Sequence, residues 1–216
     1  MKQANQPFQF VAASSLVLIT GDSASTLQDF GTSIKSVSDA SIFCHTFNTL
    51  ATHHFTTYSN DFAQWTMAAC NEQELSERLA AVDVRQFVAI DELRAALTRT
   101  IAEYLRMNPK SGERVAFEPF YFCEAREVTL PLDYQASNLA ELADGIRRLS
   151  LPSLHYHFIN SRLRLHLRTN DFSHWVETEL DMPELAAQID HVDFYTTSLE
   201  GVREDILECI QPWVNR

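Results

Sequence analysis

Glycine is scarce in this chain, with five residues in 216. So few permissive backbone positions, beside many apolar residues, favour packed helices over a loop-rich or disordered chain. The four cysteines form no C-x-x-C pair, which argues against a disulfide framework or a closed structural zinc site. Basic residues are also few: 17 Lys and Arg stand against 29 Asp and Glu, a net charge of -12. Such a surface repels phosphate backbones and excludes broad nucleic-acid binding. No apolar run approaches the roughly 18 to 20 residues of a membrane-spanning helix. The run at 11–19 behind Lys2 has the look of a short export signal. Its counterpart at 123–132 lies mid-chain, where no such signal acts, so a cytoplasmic protein is expected.

What is present is ordered and apolar. Hydrophobic residues make up 45% of the chain and phenylalanine alone supplies 14, enough for a packed core. The pattern repeats. Pro7-Phe8-Gln9-Phe10 lies over Pro119-Phe120-Tyr121-Phe122, and without a gap Ala24, Ser25 and Leu27 fall on Ala136, Ser137 and Leu139. Ile34, Ser38, Ser41 and His45 fall on Ile146, Ser150, Ser153 and His157. After a short slip, Asn60-Asp61-Phe62 with Trp65 matches Asn170-Asp171-Phe172 with Trp175, and Leu93-Arg94 meets Val202-Arg203. Matches that keep their order along a chain indicate an internal duplication. The expected division is a first module at 1–106, a linker at 107–118 and a second module at 119–216, packed as one pseudo-twofold unit.

Each module opens with two apolar runs, 8–11 with 16–20 and 120–123 with 127–132, which predict a small β-hairpin. The remainder predicts about five short helices per copy. Leu27, Phe30, Ile34 and Val37 recur at helical spacing, as do Leu139, Leu142, Ile146 and Leu149. Ser25 with Gln28, Asn71 with Glu74 and Asp181 with Glu184 have capping-box spacing. The fold class is therefore α+β, predominantly helical, in tandem.

The candidate site residues are those shared by both copies: His45, Asn60, Asp61 and Trp65, with His157, Asn170, Asp171 and Trp175. A structural role accounts for them. Asn caps a helix, Asp sits in its first turn, Phe and Trp bury one face, and His bonds the carboxylate from a neighbouring element. A catalytic pair or a metal site is the alternative. His53 and His54, or His155 and His166, could add ligands, but these do not match between copies, and no metal or cofactor is expected. A likeness to an esterase, in Gly21-Asp22-Ser23 and Asp171-x-x-His174, lacks the alternating strands and helices of that fold.

The second copy alone has a basic stretch. Arg162, Arg164 and Arg168 alternate with leucines, so an extended segment would set them on one side, suited to a small anion or an acidic partner. The alternative is a solvated face that offsets nearby acids.

The repeated Asn-Asp-Phe-x-x-Trp, the preceding His and the opening Pro-Phe-x-Phe resemble the domain of unknown function 5752 family, an uncharacterised prokaryotic family, over nearly the whole chain. The resemblance implies a fold and a compartment and assigns no catalytic residue. The expected function is binding or regulation through a protein or small-anion contact, without catalysis; a homodimer is compatible with it. The resemblance also suggests an accessory factor or enzyme of carbohydrate metabolism that uses the His/Asp pairs.

Overall fold

The computed structural model describes residues 2–48 and 58–214. It is an α+β structure, mostly helical, with one antiparallel sheet of two strands. Two compact units form: residues 17–126, and residues 2–16 together with 127–214. These units do not coincide with the sequence modules. The first strand's opening half belongs with the later helices, and the second strand's opening half with the earlier ones.

The expected hairpins are absent from the described residues. Phe8–Thr26 is one continuous strand, β1, and Val115–Ala136 is another, β2, paired with it. The physical reason lies in the intervening residues. Ala12-Ala13-Ser14-Ser15 and Glu124-Ala125-Arg126 offer no Gly, Asn or Asp pair that takes up the positive φ of a tight hairpin turn. The chain stays extended and finds its ladder partner in the other strand. The predicted linker is ordered too: Pro109–Gly112 is a helical turn and β2 begins at Val115.

In the unit of residues 17–126, the second half of β1 leads into α1 (Leu27–Ser36) and α2 (Asp39–Phe43), which runs on as a π turn, Cys44–Asn48. Then come α3 (Asp61–Ala68), α4 (Gln73–Ala80), α5 (Ile90–Met107), the short α6 at Pro109–Gly112 and the first half of β2. Helix α1 packs on α5, and α3 on α4. Phe30, Ile34, Phe62, Leu75, Leu79 and Leu93 are fully buried between them.

The unit of residues 2–16 and 127–214 is also mainly helical. It holds α7 (Leu139–Arg148), α8 (Leu151–His155) with the π turn Tyr156–Asn160, and α9 (Ser161–Arg164). Helices α10 (Asp171–Thr178), α11 (Pro183–Asp190) and α12 (Leu199–Val214) follow. Helix α7 packs on α12 and α10 on α11. Gly145 of α7 is required by packing: a Cβ built there would lie 2.1 Å from Cζ of the buried Phe10.

The caps differ in detail from expectation. Thr26, not Ser25, caps α1, accepting from the Asp29 amide at 3.1 Å. Ser38 and Ser150 cap α2 and α8 in the same way. Asn71 and Asp181 are not N-caps; they take left-handed backbone, φ 55° and 48°, in the tight turns before α4 and α11. Asn and Asp visit that region at lower cost than other non-glycine residues.

Candidate functional site

The start of α3 is built by Asn60. Its side-chain oxygen accepts from the Ala63 amide at 2.9 Å, satisfying an otherwise orphan donor of the first turn. That cap leaves Asp61 at the first helical position, where the helix dipole favours a carboxylate. Phe62 and Trp65, three residues apart, then face inward together. Trp65 is 8% exposed, and its indole N–H donates to the Glu118 carbonyl at 2.8 Å.

His45 reaches Asp61 from the π turn. Its Nδ1 lies 2.8 Å from the Asp61 carboxylate, and its Nε2 accepts from the Cys123 amide of β2 at 2.9 Å. A backbone N–H can only donate, so Nε2 is unprotonated and Nδ1 carries the ring proton. The imidazole thus ties α3 to β2 with both nitrogens engaged. Phe120 packs on it at 4.8 Å between ring centres, and on Trp65 at 5.6 Å.

The other unit has the same bonds. Asn170 accepts from the Phe172 and Ser173 amides. His157 Nδ1 lies 2.8 Å from Asp171, and its Nε2 accepts from the Val11 amide of β1 at 3.2 Å. The Trp175 indole, 6% exposed, donates to the Gln6 carbonyl at 2.8 Å. Phe8 stands where Phe120 stands in the first, 5.1 Å from the His157 ring and 5.9 Å from Trp175. In each unit, then, the Phe-x-Phe strand that packs on the His-Asp-Trp group comes from the opposite end of the sequence.

The two carboxylates differ in one respect. Asp171 also takes the Arg164 guanidinium at 2.5 Å, and its side chain is 12% exposed. Asp61 is 33% exposed and opens into a cleft of about 390 Å³ edged by Gln64, Trp65, Phe117 and Tyr121.

The basic stretch is not an extended row. Residues 161–164 are helical and a tight turn follows, bridged by His166 and Thr169. Arg162 is buried, donating to the carbonyls of Phe158 and Leu167 at 3.0 Å each. Burial pulls its guanidinium down to about 10. Arg164 is committed to Asp171, and Arg168 is exposed. An alternation this short fits a helical turn as readily as a strand, and residues 161–164 take the helical form.

Of the histidines weighed as further ligands, His53 and His54 lie outside the described residues. His155 Nε2 is buried and without a partner, and burial lowers that imidazole to about 4. Among the described residues, no three His, Cys, Asp or Glu side chains gather where they could hold a metal ion. Asp171 engages His157, not His174, and Ser23 lies within β1, so the esterase-like blocks do not form a triad.

Arg94 and Arg203, matched in the repeat, have a structural role that their local sequence context does not reveal. Arg94 donates to the Ile34 carbonyl at 2.6 Å and Arg203 to the Ile146 carbonyl at 2.7 Å, closing the C-terminal ends of α1 and α7. Their recurrence at matched positions of the two copies is the signal the sequence offers.

The structure of OrfY from Thermoproteus tenax is similar throughout, with a TM-score of 0.85 and 24% identity over 99% of this chain and 98% of that one. That likeness shows a common fold. No curated protein matches the chain. Among the described residues, no helix is long and apolar enough to cross a membrane. The family of unknown function DUF5752 matches residues 5–211, and the chain belongs to that family.

Proposed function

We propose that this is a duplicated, strand-exchanged binding protein of the cytoplasm, which regulates a partner protein by contact and does not catalyse a reaction. The observation that carries the reading is the double engagement of His45 and of His157. Each ring donates to its carboxylate and accepts from a strand amide. A general base needs a nitrogen within reach of a substrate proton, and a metal ligand needs a free lone pair. Neither imidazole offers one while β1 and β2 are in place. The carbohydrate-enzyme reading relies on those same histidines and loses its chemistry with them.

Duplication is supported by the recurrence of the bonds. Gln6 and Glu118, and Val11 and Cys123, are matched positions in the repeat, and each makes the same hydrogen bond to Trp or His in its unit. A protein contact is favoured over a small anion because Arg162 and Arg164 are already engaged. It is also supported by exposed apolar surface: Val17 and Ile19, two apart in β1 and so on one side of it, are 66% and 68% exposed.

The test is purification of the protein from its native cells with mass spectrometry, followed by reconstitution of any complex from pure components. A stoichiometric partner that rebinds the purified chain is expected. Turnover of a metabolite by the purified chain alone, lost in His45→Gln, would overturn the reading.

A further inference from the structure

The cleft beside Asp61 has walls that folding alone does not explain. Phe117 is 94% exposed and Tyr121 51% exposed, and both edge the same cleft. A phenylalanine left almost wholly in water gains nothing for its own unit. Its backbone is well anchored nevertheless, with the Phe117 amide donating to the Ala69 carbonyl at 2.8 Å. The backbone that carries this ring is therefore fixed at the mouth of the cleft. Asp61 and Glu118 give that mouth a negative charge.

The molecule also shows what such a carboxylate accepts. Asp171, bonded to His157 as Asp61 is to His45, holds the Arg164 guanidinium at 2.5 Å, and that guanidinium lies 5.5 Å from the ring centre of Tyr156. Carboxylate and aromatic ring together make up the environment that guanidinium groups favour, the fork matching the two oxygens and the plane lying on the ring. Among the described residues, no guanidinium occupies the matching carboxylate, Asp61. The sequence contains no Lys or Arg from residue 36 to residue 77, and the described residues bring no guanidinium or ammonium group to Asp61. A volume of about 390 Å³ lies in the range of ligand sites.

We propose that the Asp61 cleft binds the guanidinium of an arginine presented by a partner protein, with Asp61 pairing to its N–H groups and Phe117 and Tyr121 covering its face. An anionic ligand is disfavoured by Asp61 and Glu118 at the mouth. The net charge of -12 favours a basic partner surface and speeds its encounter. The inference rests on the partner-binding reading and supplies the chemistry of the contact.

The experiment titrates blocked Gly-Arg-Gly and Gly-citrulline-Gly peptides into the full, isotope-labelled chain and follows its amide and indole NMR signals. Citrulline keeps the shape of arginine and removes its charge. The arginine peptide is expected to shift signals of Asp61, Trp65, Phe117 and Tyr121 saturably. Citrulline should bind at least about tenfold more weakly, the order expected of a charged hydrogen-bonded pair. Phe117→Ala removes an exposed group and should weaken the arginine peptide by about three- to thirtyfold with the spectrum otherwise intact. Asp61→Asn should abolish binding; if it fails to fold, Phe117→Ala carries the test. Equal binding of the two peptides, shifts confined to other surfaces, or no shift would overturn the proposal. Where a reconstituted partner binds Phe117→Ala and wild type alike, the cleft is wrong and the partner-binding reading survives. Where no partner is found at all, that reading fails independently.

Discussion

The indole N–H of Trp65 donates to the carbonyl of Glu118 at 2.8 Å, so a helix in the first half of the sequence is fastened to the strand that opens the second. Trp175 makes the corresponding bond to Gln6. Truncation at either position removes a buried aromatic group and leaves a carbonyl without its donor. Trp65→Ala and Trp175→Ala should each cost on the order of 3 to 5 kcal/mol in urea unfolding. A Trp65→Ala variant with unchanged stability would mean that the indole serves the surface instead.

Gly145 should tolerate no side chain while Phe10 is present. Its added Cβ would lie 2.1 Å from the Phe10 ring, and overpacking of this kind costs roughly 1 to 3 kcal/mol. The loss from Gly145→Ala should shrink in a Phe10→Ala background, a coupling that a double-mutant cycle measures. Additive losses would show that Phe10 does not pack there.

Stability should decline in mild acid because of His155. Burial lowers its folded value to about 4 from the ordinary 6.5, so between those limits the unfolded chain binds the extra proton and the folded one does not. Folding is then favoured above about pH 6.5 and loses on the order of 3 kcal/mol toward pH 4. His155→Leu should flatten that part of the pH profile in thermal or urea unfolding. An unchanged profile would place the acid sensitivity in another group.

The helices were legible in the sequence because their apolar period is strong: Leu27, Phe30 and Ile34, or Leu139, Leu142 and Ile146, are all buried as expected. The caps Asn60 and Asn170, the buried Trp65 and Trp175 and the His–Asp contacts were legible for the same local reasons. The strand pairing was not. Residues 8–11 and 120–123 look alike in sequence, and nothing in either says which set of helices it will cover. Local pattern fixes the buried face of Phe8 or Phe120, whereas the partner is chosen by chain-wide packing. Arg162 was misplaced because its burial depends on the carbonyls of Phe158 and Leu167, which become acceptors only once the turn after α9 has formed. Phe117 gave no signal beyond its apolar character, and only its exposure in the folded chain sets it apart.

His45 and His157 each bond a carboxylate through Nδ1 and a strand amide through Nε2. Long-range proton–nitrogen NMR correlation of the labelled chain at neutral pH reads the protonation of each ring nitrogen directly. For His45 and His157 it should show the proton on Nδ1 and a bare, hydrogen-bonded Nε2, with no change on addition of zinc or iron salts. A proton on Nε2 in either ring, or a ring signal that moves on adding stoichiometric metal, would contradict the structural role and return these residues to candidate catalysis.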